Sequence, residues 1–195
     1  MKRLEEIGMK KNWIYEVIIS TLHVRVPHAA PMGIWTEDFD TLNMAIYEDS
    51  KTLKNIITEK EFTANFVDDM TIFYGSLFDK GGMVYKQSKQ LDAPVIKDSS
   101  AVMECKVKHI AKKENRFHIG AEIVDIQIWD EIKLINRAEG LVLESLILAT
   151  RLPHFPGPRI EETLKDNFRV IGKVSPDSTY EHIMEKMMDS LKLLN

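Results

Sequence analysis

The sequence has very little of several features that mark particular protein classes. It contains one cysteine, Cys105, so an internal disulfide is impossible and nothing supports a structural zinc site. A single thiol is typical of a reducing compartment, and we expect a cytoplasmic protein. No apolar run approaches the roughly 20 residues of a membrane span, and the charged first residues lack the apolar core of a signal peptide. We therefore expect no membrane partner.

An excess of charge of one sign is also missing. The 26 basic and 30 acidic residues give a net charge of −4 and are mixed along the chain without a basic stripe. This argues against nucleic acid as a partner. No nucleophilic triad, phosphate-binding Gly-Lys loop or metal-ligand spacing is visible, and we expect no metal. If the protein is an enzyme, a cofactor carries the hard chemistry.

The first two thirds of the chain has the pattern of an antiparallel β structure. Segments rich in β-branched and aromatic residues predict strands at residues 13–21, 27–35, 42–47, 62–67, 101–111 and 117–129. Short helices are predicted at residues 52–59 and 70–78. In the last strand the apolar residues change parity near Val124, which predicts a β-bulge there.

Two features of the first hairpin are unusual. Residues 22–26 connect its strands without the Gly or Asn that tight turns favour. Pro27 and Pro31 cannot donate ladder hydrogen bonds, which predicts a strand edge, a bulge or a strand end at each point. Such a backbone suits contact with a ligand rather than with another strand.

After residue 137 the hydrophobic period becomes helical. Helices are predicted at residues 138–150 and 160–170, and a last helix is expected to begin at Ser175-Pro176, with proline at its first position. The last helix carries a broad stripe of methionine, leucine and isoleucine, which belongs either to a core or to a dimer surface.

The polar corner at residues 49–52 lies where the first helix should begin. One interpretation is an N-cap, in which Asp49 or Ser50 accepts hydrogen bonds from the first turn. The other is a phosphate seat, because free N–H groups, two hydroxyls and Lys51 favour a dianion. The carboxylate of Asp49 would repel a phosphate and should point away. The small residues at 29–33 would let a flat ligand approach the backbone.

The order of three motifs extends this interpretation. PHAAPMG (residues 27–33), DSKT (49–52) and EFTANF (61–66) resemble the flavin-binding half of the FMN-binding split-barrel superfamily, which includes the flavin reductases. More closely, the chain from Trp13 to about Arg159 resembles an uncharacterised archaeal family of FMN-binding proteins known by a domain-of-unknown-function label.

The resemblance implies a fold and a domain organisation. The expected fold is α+β, an antiparallel six- or seven-stranded split β-barrel with Greek-key connections and a helical C-terminal portion. We expect residues 1–135 to form the flavin-binding barrel domain, with residues 68–100 as an insertion that caps one end. Residues 136–195 would pack on the barrel or on a dimer partner.

The resemblance also implies which residues contact FMN. They are His28, Ala29, Ala30, Pro31, Met32 and Gly33 beside the ring, Asp49, Ser50, Lys51 and Thr52 at the phosphate and ribityl chain, and Asn65 and Arg151. Each has a plainer alternative: an irregular edge strand, a helix cap, a surface Asn65, and an Arg151 that only stabilises a helix C-terminus. His154 would be either a proton donor near the reduced flavin or a loop residue.

The implied function is that of an FMN-binding flavoprotein. We expect a flavin-dependent oxidoreductase with an unknown donor and acceptor; the alternative is a non-catalytic FMN carrier, store or sensor. The resemblance further implies a homodimer with FMN near the interface. The choice of FMN over FAD comes from the resemblance alone.

Overall fold

Eight strands and two helices make up most of the first 130 residues. The computed structural model describes residues 4–152, 158–191 and 193. The elements are β1 (Tyr15–His23), β2 (Val26–Trp35), β3 (Thr41–Tyr47), α1 (Lys51–Glu59), β4 (Glu61–Phe66), α2 (Met70–Phe78), β5 (Tyr85–Lys86), β6 (Val95–Ile96), β7 (Ala101–Lys113) and β8 (Arg116–Ile128), with short 3-10 helices at Leu4–Ile7 and Lys80–Gly82. The six strands predicted from sequence are all present, each within a few residues of its predicted bounds.

Six of these strands close into an antiparallel barrel. Their order around the barrel is β1-β2-β3-β8-β7-β4. The register places Ile34 opposite Met44, and Met44 opposite Ile119, and each of the three is almost completely buried. Alternate residues of each strand therefore fill the barrel with apolar side chains. The expected α+β fold with a six-stranded antiparallel barrel is confirmed.

The barrel is split along one edge of β2. This strand pairs with β1 over residues 26–34, but with β3 only at Ile34↔Met44 and Trp35↔Asn43. In the part of the chain that the structure describes, no strand pairs with the second edge of β2 over residues 26–33. Pro27 and Pro31 lie in this unpaired stretch, as predicted from their missing N–H groups.

The pairing of β7 with β8 contains the predicted bulge and a second one. Glu104 pairs with Asp125 and Cys105 with Ile123, so Val124 is the extra residue on β8. The second shift leaves Lys108 unpaired on β7 and was not predicted. The bulge at Val124 returns the apolar side chains of β8 to the interior after the parity change.

Helix α1 lies over one end of the barrel. Its side chains Leu53 and Ile56 are buried, and Asn55 Nδ2 donates to Thr21 Oγ1 at 2.9 Å. Asn55 is only 3 % exposed, although the sequence pattern alone is compatible with a surface position on this helix. Tertiary contact with β1 buries it, which the helix pattern alone could not reveal.

Residues 68–100 pack on the outer face of the barrel wall rather than on its end. Ile18, which points away from the barrel interior, forms an apolar cluster with Ile96 and with Ile72 and Phe73 of α2. Thr63 Oγ1 donates to the carbonyl of Pro94 at 2.6 Å. Residues 68–100 were expected to cap one end of the barrel, but they cover its outer wall. Helix α1 lies at the end instead.

A buried carboxylate holds the cover against β7. Glu104 is fully buried, and its two oxygens accept from the backbone N–H groups of Lys89 and Gln90 at 2.6 and 2.7 Å. Gln127 Nε2 donates to the same carboxylate at 2.7 Å. Three donors compensate the desolvation of this charge.

A second compact unit is formed by Asn12–Ile14 together with the chain from Asn136 onward, whereas Tyr15–Ile135 belong to the first unit. Its helices are α3 (Ala138–Arg151), α4 (Pro158–Val174) and α5 (Thr179–Ser190). They enclose an apolar core made of Ala138, Val142, Ile171, Val174 and Met184. In the described residues no helix is both long enough and apolar enough to cross a membrane.

The predicted start of the last helix at Ser175-Pro176 was wrong. The N–H of Ser175 still bonds to the carbonyl of Ile171, so this residue completes α4, and Asp177 turns the chain at φ +54°. Ser178 is the true N-cap, accepting from Glu181 N at 3.1 Å. The Ser-x-x-Glu spacing is a capping-box signal that outweighs the proline.

Candidate functional site

His28 is the point where three elements of the first unit meet. The side chain is 5 % exposed and comes from β2. Its Nε2 lies 3.0 Å from Oγ1 of Thr52, a buried residue in the first turn of α1. Its Nδ1 lies 3.4 Å from the ammonium of Lys80, in the 3-10 helix Lys80–Gly82. The histidine thus connects the split strand, the helix start and the outer cover.

The charge state of His28 follows from its surroundings. Burial, then the positive charges of Lys80 and Lys51, lower its pKa from 6.5 to about 4. The imidazole is therefore neutral at pH 7. Because an ammonium can only donate, Nδ1 accepts from Lys80 and the proton sits on Nε2, which donates to Thr52.

Positive charge is left uncompensated around this histidine. The ion pairs formed among the described residues involve neither Lys51 nor Lys80. The first turn of α1 adds N–H groups without intrahelical partners and the positive end of the helix dipole. Lysine ammonium groups together with free N–H groups suit a phosphate or another dianion.

The corner before α1 contains the helix N-cap that was one of the two interpretations made from sequence. Ser50 is the N-cap, and its Oγ accepts from Leu53 N at 3.1 Å. Asp49 precedes it in an exposed turn. The cap therefore uses the serine rather than the aspartate, while Lys51 and Thr52 remain on the side of His28.

The free edge of β2 presents backbone groups in a definite pattern. In an antiparallel strand the N–H and C=O of one residue point to the same edge, and the edges alternate along the chain. Pro27 and Pro31 pair with β1 in register, so their nitrogens face the free edge. Ala29 and Gly33 share their parity and direct their N–H groups there. Residues 30–33 are all partly exposed, as a strand edge requires.

Asn65 has a complete set of partners within the protein. Its Nδ2 donates to the carbonyl of Ile18 at 2.9 Å and to Ser20 Oγ at 3.0 Å, and its Oδ1 accepts from Ile96 N at 2.9 Å. It lies on the outer face of the sheet, whereas the register gives His28 the parity of the interior residues. A flavin is not needed to satisfy this amide.

The remaining residues expected at the site belong to the second unit or lie outside the described residues. Arg151 is exposed at the last position of α3. His154 lies outside the described residues. Lys80, by contrast, is at the site but was absent from our sequence prediction. It is 52 residues from His28 in the chain, and local sequence carries no signal for that contact.

Comparison with known protein families shows which family this chain belongs to. A model described as "Protein of unknown function (DUF447) N-terminal domain" matches residues 15–130, more than half of the chain. The chain belongs to the DUF447 family. The matched region covers all six barrel strands of this DUF447 protein and every expected site residue except Arg151.

Relatives of this DUF447 chain match it over nearly its full length. The uncharacterized protein MJ1453 of Methanocaldococcus jannaschii is 28 % identical over 198 residues, 93 % of this chain and 100 % of that protein. The crystal structure of the FMN-bound DUF447 protein MM1853 from Methanosarcina mazei has a TM-score of 0.58 at 21 % identity and covers 96 % of this chain and 99 % of that chain.

Another structural neighbour shares the barrel. The NADH:FAD oxidoreductase SgcE6 of Streptomyces globisporus has a TM-score of 0.56 at 8 % identity, over 62 % of this chain and 79 % of that chain. At such identities the match establishes the fold alone. The barrel fold of this chain is therefore shared with both solved structures.

Proposed function

We propose that this protein binds FMN and acts as a flavin-dependent oxidoreductase on an unidentified donor and acceptor. The observation that carries the proposal is that His28 lies beside two features: an edge of β2 that has no strand paired with it, and Lys51 and Lys80, which form no ion pair among the described residues. An FMN-bound member of the same family has the same fold over 96 % of this chain.

The donor set fits a flavin monophosphate. The ammonium groups of Lys51 and Lys80, the free N–H groups of α1 and the hydroxyl of Thr52 are suited to the phosphate. The N–H group of Gly33, on the partly exposed edge of β2, is suited to the polar edge of an isoalloxazine ring. Ala30, Pro31 and Met32 would line the ring, and Ser50 would support the phosphate turn. No buried carboxylate opposes an anion here.

When bound, FMN would supply the hydride or electron transfer, and the protein would bind and orient it. His28 holds Lys80 in place as a neutral acceptor and anchors Thr52 at the start of α1. Its low pKa, about 4, keeps the lysine contact intact across the physiological range. Asn65 supports the strand that carries the site by tying β4 to β1.

Assembly and location are further parts of the proposal. We expect a homodimer with FMN near the subunit interface, in line with the large apolar side chains that α2 exposes a few residues before Lys80. Arg151 is a further candidate for contact with the phosphate, and either subunit of the dimer could supply it. A cytoplasmic location is supported by Cys105, a buried free thiol.

Titration with FMN and with riboflavin tests the phosphate part of the site. Lys51→Ala and Lys80→Ala each remove a charge-assisted contact worth roughly 1.5–3 kcal/mol, so each should weaken FMN binding by about 10- to 150-fold. Riboflavin has no phosphate, and its affinity should change little. Lys54→Ala, an exposed lysine one turn further along α1, is the matched control and should bind FMN like the wild type.

The outcomes separate the parts of the proposal. A wild-type protein that binds neither flavin would refute the function. If FMN binds but both lysine variants match Lys54→Ala, the phosphate lies elsewhere. With FMN bound, anaerobic addition of NADH or NADPH should bleach the flavin absorption band if the protein is a reductase. An unbleached flavin with either donor would favour the carrier, store or sensor alternative.

A further inference from the structure

Helix α2 is apolar on both of its faces. None of its nine residues, MTIFYGSLF, is charged. Ile72 and Phe73 face the barrel wall, where they pack against the cluster that contains Ile18 and Ala29. A helix of a soluble protein usually carries polar residues on the opposite face, and a helix that is apolar all round is normally buried. The outer face of α2 departs from this rule.

The exposed face forms one continuous stripe. Met70, Tyr74, Leu77 and Phe78 recur at i, i+4, i+7 and i+8, which places them on one side of the helix. Their exposed fractions are 57, 61, 50 and 73 %. The rings of Tyr74 and Phe78 also contact each other, with centroids 5.2 Å apart. We call these four residues the α2 stripe.

The area of the α2 stripe suits the core of a protein interface. At roughly 200 Å² for a large side chain, the exposed fractions correspond to about 500 Å² on one molecule. Two such patches facing each other would bury about 1,000 Å², the level at which interfaces between proteins become specific, before any rim residue is counted. A patch of this size is comparable to the largest apolar patch of a typical monomer, which is often a functional surface.

The charges at the two ends of α2 make the helix complementary to itself. Asp68 and Asp69 precede it and are exposed, and Lys80 follows it. The carboxylate of Asp79 is also exposed at this end and offsets part of the charge of Lys80. If two copies of α2 packed antiparallel, the aspartates of one copy would meet Lys80 of the other, and the helix dipoles would oppose favourably. Parallel packing would bring like charges together.

We propose that the α2 stripe is the surface on which a second copy of this chain docks, with the two α2 helices antiparallel across a two-fold axis. A two-fold interface uses the same patch on both subunits, which is what a self-complementary stripe provides. Because Lys80 ends this surface and also bonds to His28, the interface lies beside the candidate flavin site. The inference rests on the stripe and is independent of flavin binding.

Sedimentation of the full-length protein without FMN is the first test. The wild type should dimerise, and Tyr74→Ser with Phe78→Ser should raise the dimer Kd by at least about 30-fold, as expected when central aromatic residues of an interface are removed. The matched control is Val26→Ser with Ile57→Ser, two exposed apolar residues of the same unit outside the stripe. It should dimerise like the wild type.

A crosslinking test examines the two-fold axis directly. Tyr74 lies at the middle of α2, so Tyr74→Cys should form a disulfide with its own copy when oxidised by a copper–phenanthroline catalyst in air. The native Cys105 is fully buried, and burial raises the pKa of its thiol, so it should not react. Met70→Cys should crosslink with Phe78→Cys in a mixture, but not with itself.

Three results would contradict the proposal that the α2 stripe is a dimer interface. They are a monomeric wild type at high concentration, equal dimerisation of the stripe and control variants, and a Tyr74→Cys protein that forms no crosslink although it dimerises. Circular dichroism establishes that each variant is folded. FMN titration of the same samples keeps the two proposals apart, because a monomer that binds FMN contradicts only the interface.

Discussion

At the scale of single residues, His28 shows how burial and tertiary contacts fix both the orientation and the charge state of a side chain. Its two ring nitrogens are engaged by a hydroxyl and an ammonium, and acceptance from the ammonium requires the neutral imidazole. Glu104 is the acidic counterpart, since three donors surround a carboxylate that is fully buried. Neither environment involves neighbours in the sequence.

The pKa of His28 predicts a pH dependence of stability. The unfolded histidine binds a proton below about pH 6.5, whereas the folded one does so only near pH 4. The unfolded state therefore binds more protons between these values, and stability falls as the pH falls. From pH 7.5 to pH 5 the free energy of unfolding should drop by about 2 kcal/mol from this group.

Urea unfolding of the FMN-free protein at several pH values measures this effect. His28→Gln removes the titrating group while an amide can still reach Thr52, so its stability should depend much less on pH in this range. His23→Gln is the control, because His23 is exposed beside Glu59. If the wild type and His28→Gln lose the same stability on acidification, the assigned pKa is wrong.

At the scale of elements, the β1–β2 hairpin carries a turn that its sequence does not favour. Val24 and Arg25 adopt φ values of +49° and +60°, the left-handed conformation of a two-residue type I′ turn. Asn and Gly usually occupy these positions, and the β-branched Val24 is costly there. The strands impose the turn because their register is set by side chains inside the barrel.

Replacing the turn residues should stabilise the protein. Val24→Asn with Arg25→Gly should raise the free energy of unfolding by about 1–2 kcal/mol, because the left-handed conformation costs L-residues about that much each. Val24 is 77 % exposed, so little packing is lost. Val26→Asn is the control: it lies in the strand and should bring no gain. Equal effects of both changes in urea unfolding would argue against strain in the turn.

At the scale of the whole molecule, the chain divides into two compact units near residue 135. All residues of the candidate site except Arg151 belong to the first unit. The boundary agrees in position with the change of hydrophobic period at residue 137, where strand patterns give way to helical ones. We propose that the first unit contains a complete flavin site.

Truncation after Ile135 tests this proposal. The shortened chain should unfold cooperatively and bind FMN within about threefold of the full-length affinity, a change under 1 kcal/mol. Arg151→Ala in the full chain gives the matched comparison, since it removes only the arginine. Lost affinity in both proteins would bring Arg151 into the site. If the truncated chain binds FMN far more weakly than Arg151→Ala does, the second unit contributes to FMN binding through residues other than Arg151.

Local patterns were sufficient for the elements of this fold. Alternating apolar residues predicted the six barrel strands, and the parity change near Val124 predicted its bulge, because strand side chains alternate strictly between two faces. The missing donors of Pro27 and Pro31 predicted the unpaired stretch of β2. The start of α5 was misplaced, although the capping box at Ser178 was available in the sequence.

The sequence by itself determined the strands, most helix positions and the family, because periodicity, turn residues and motif order are local properties of a chain. Only the tertiary structure decided that Lys80 meets His28, that Asn55 and Asn65 are satisfied by the protein, and that residues 68–100 cover the barrel wall instead of its end. These contacts join residues far apart in the chain. They form only after the barrel closes and brings separate elements together, and no local pattern encodes them.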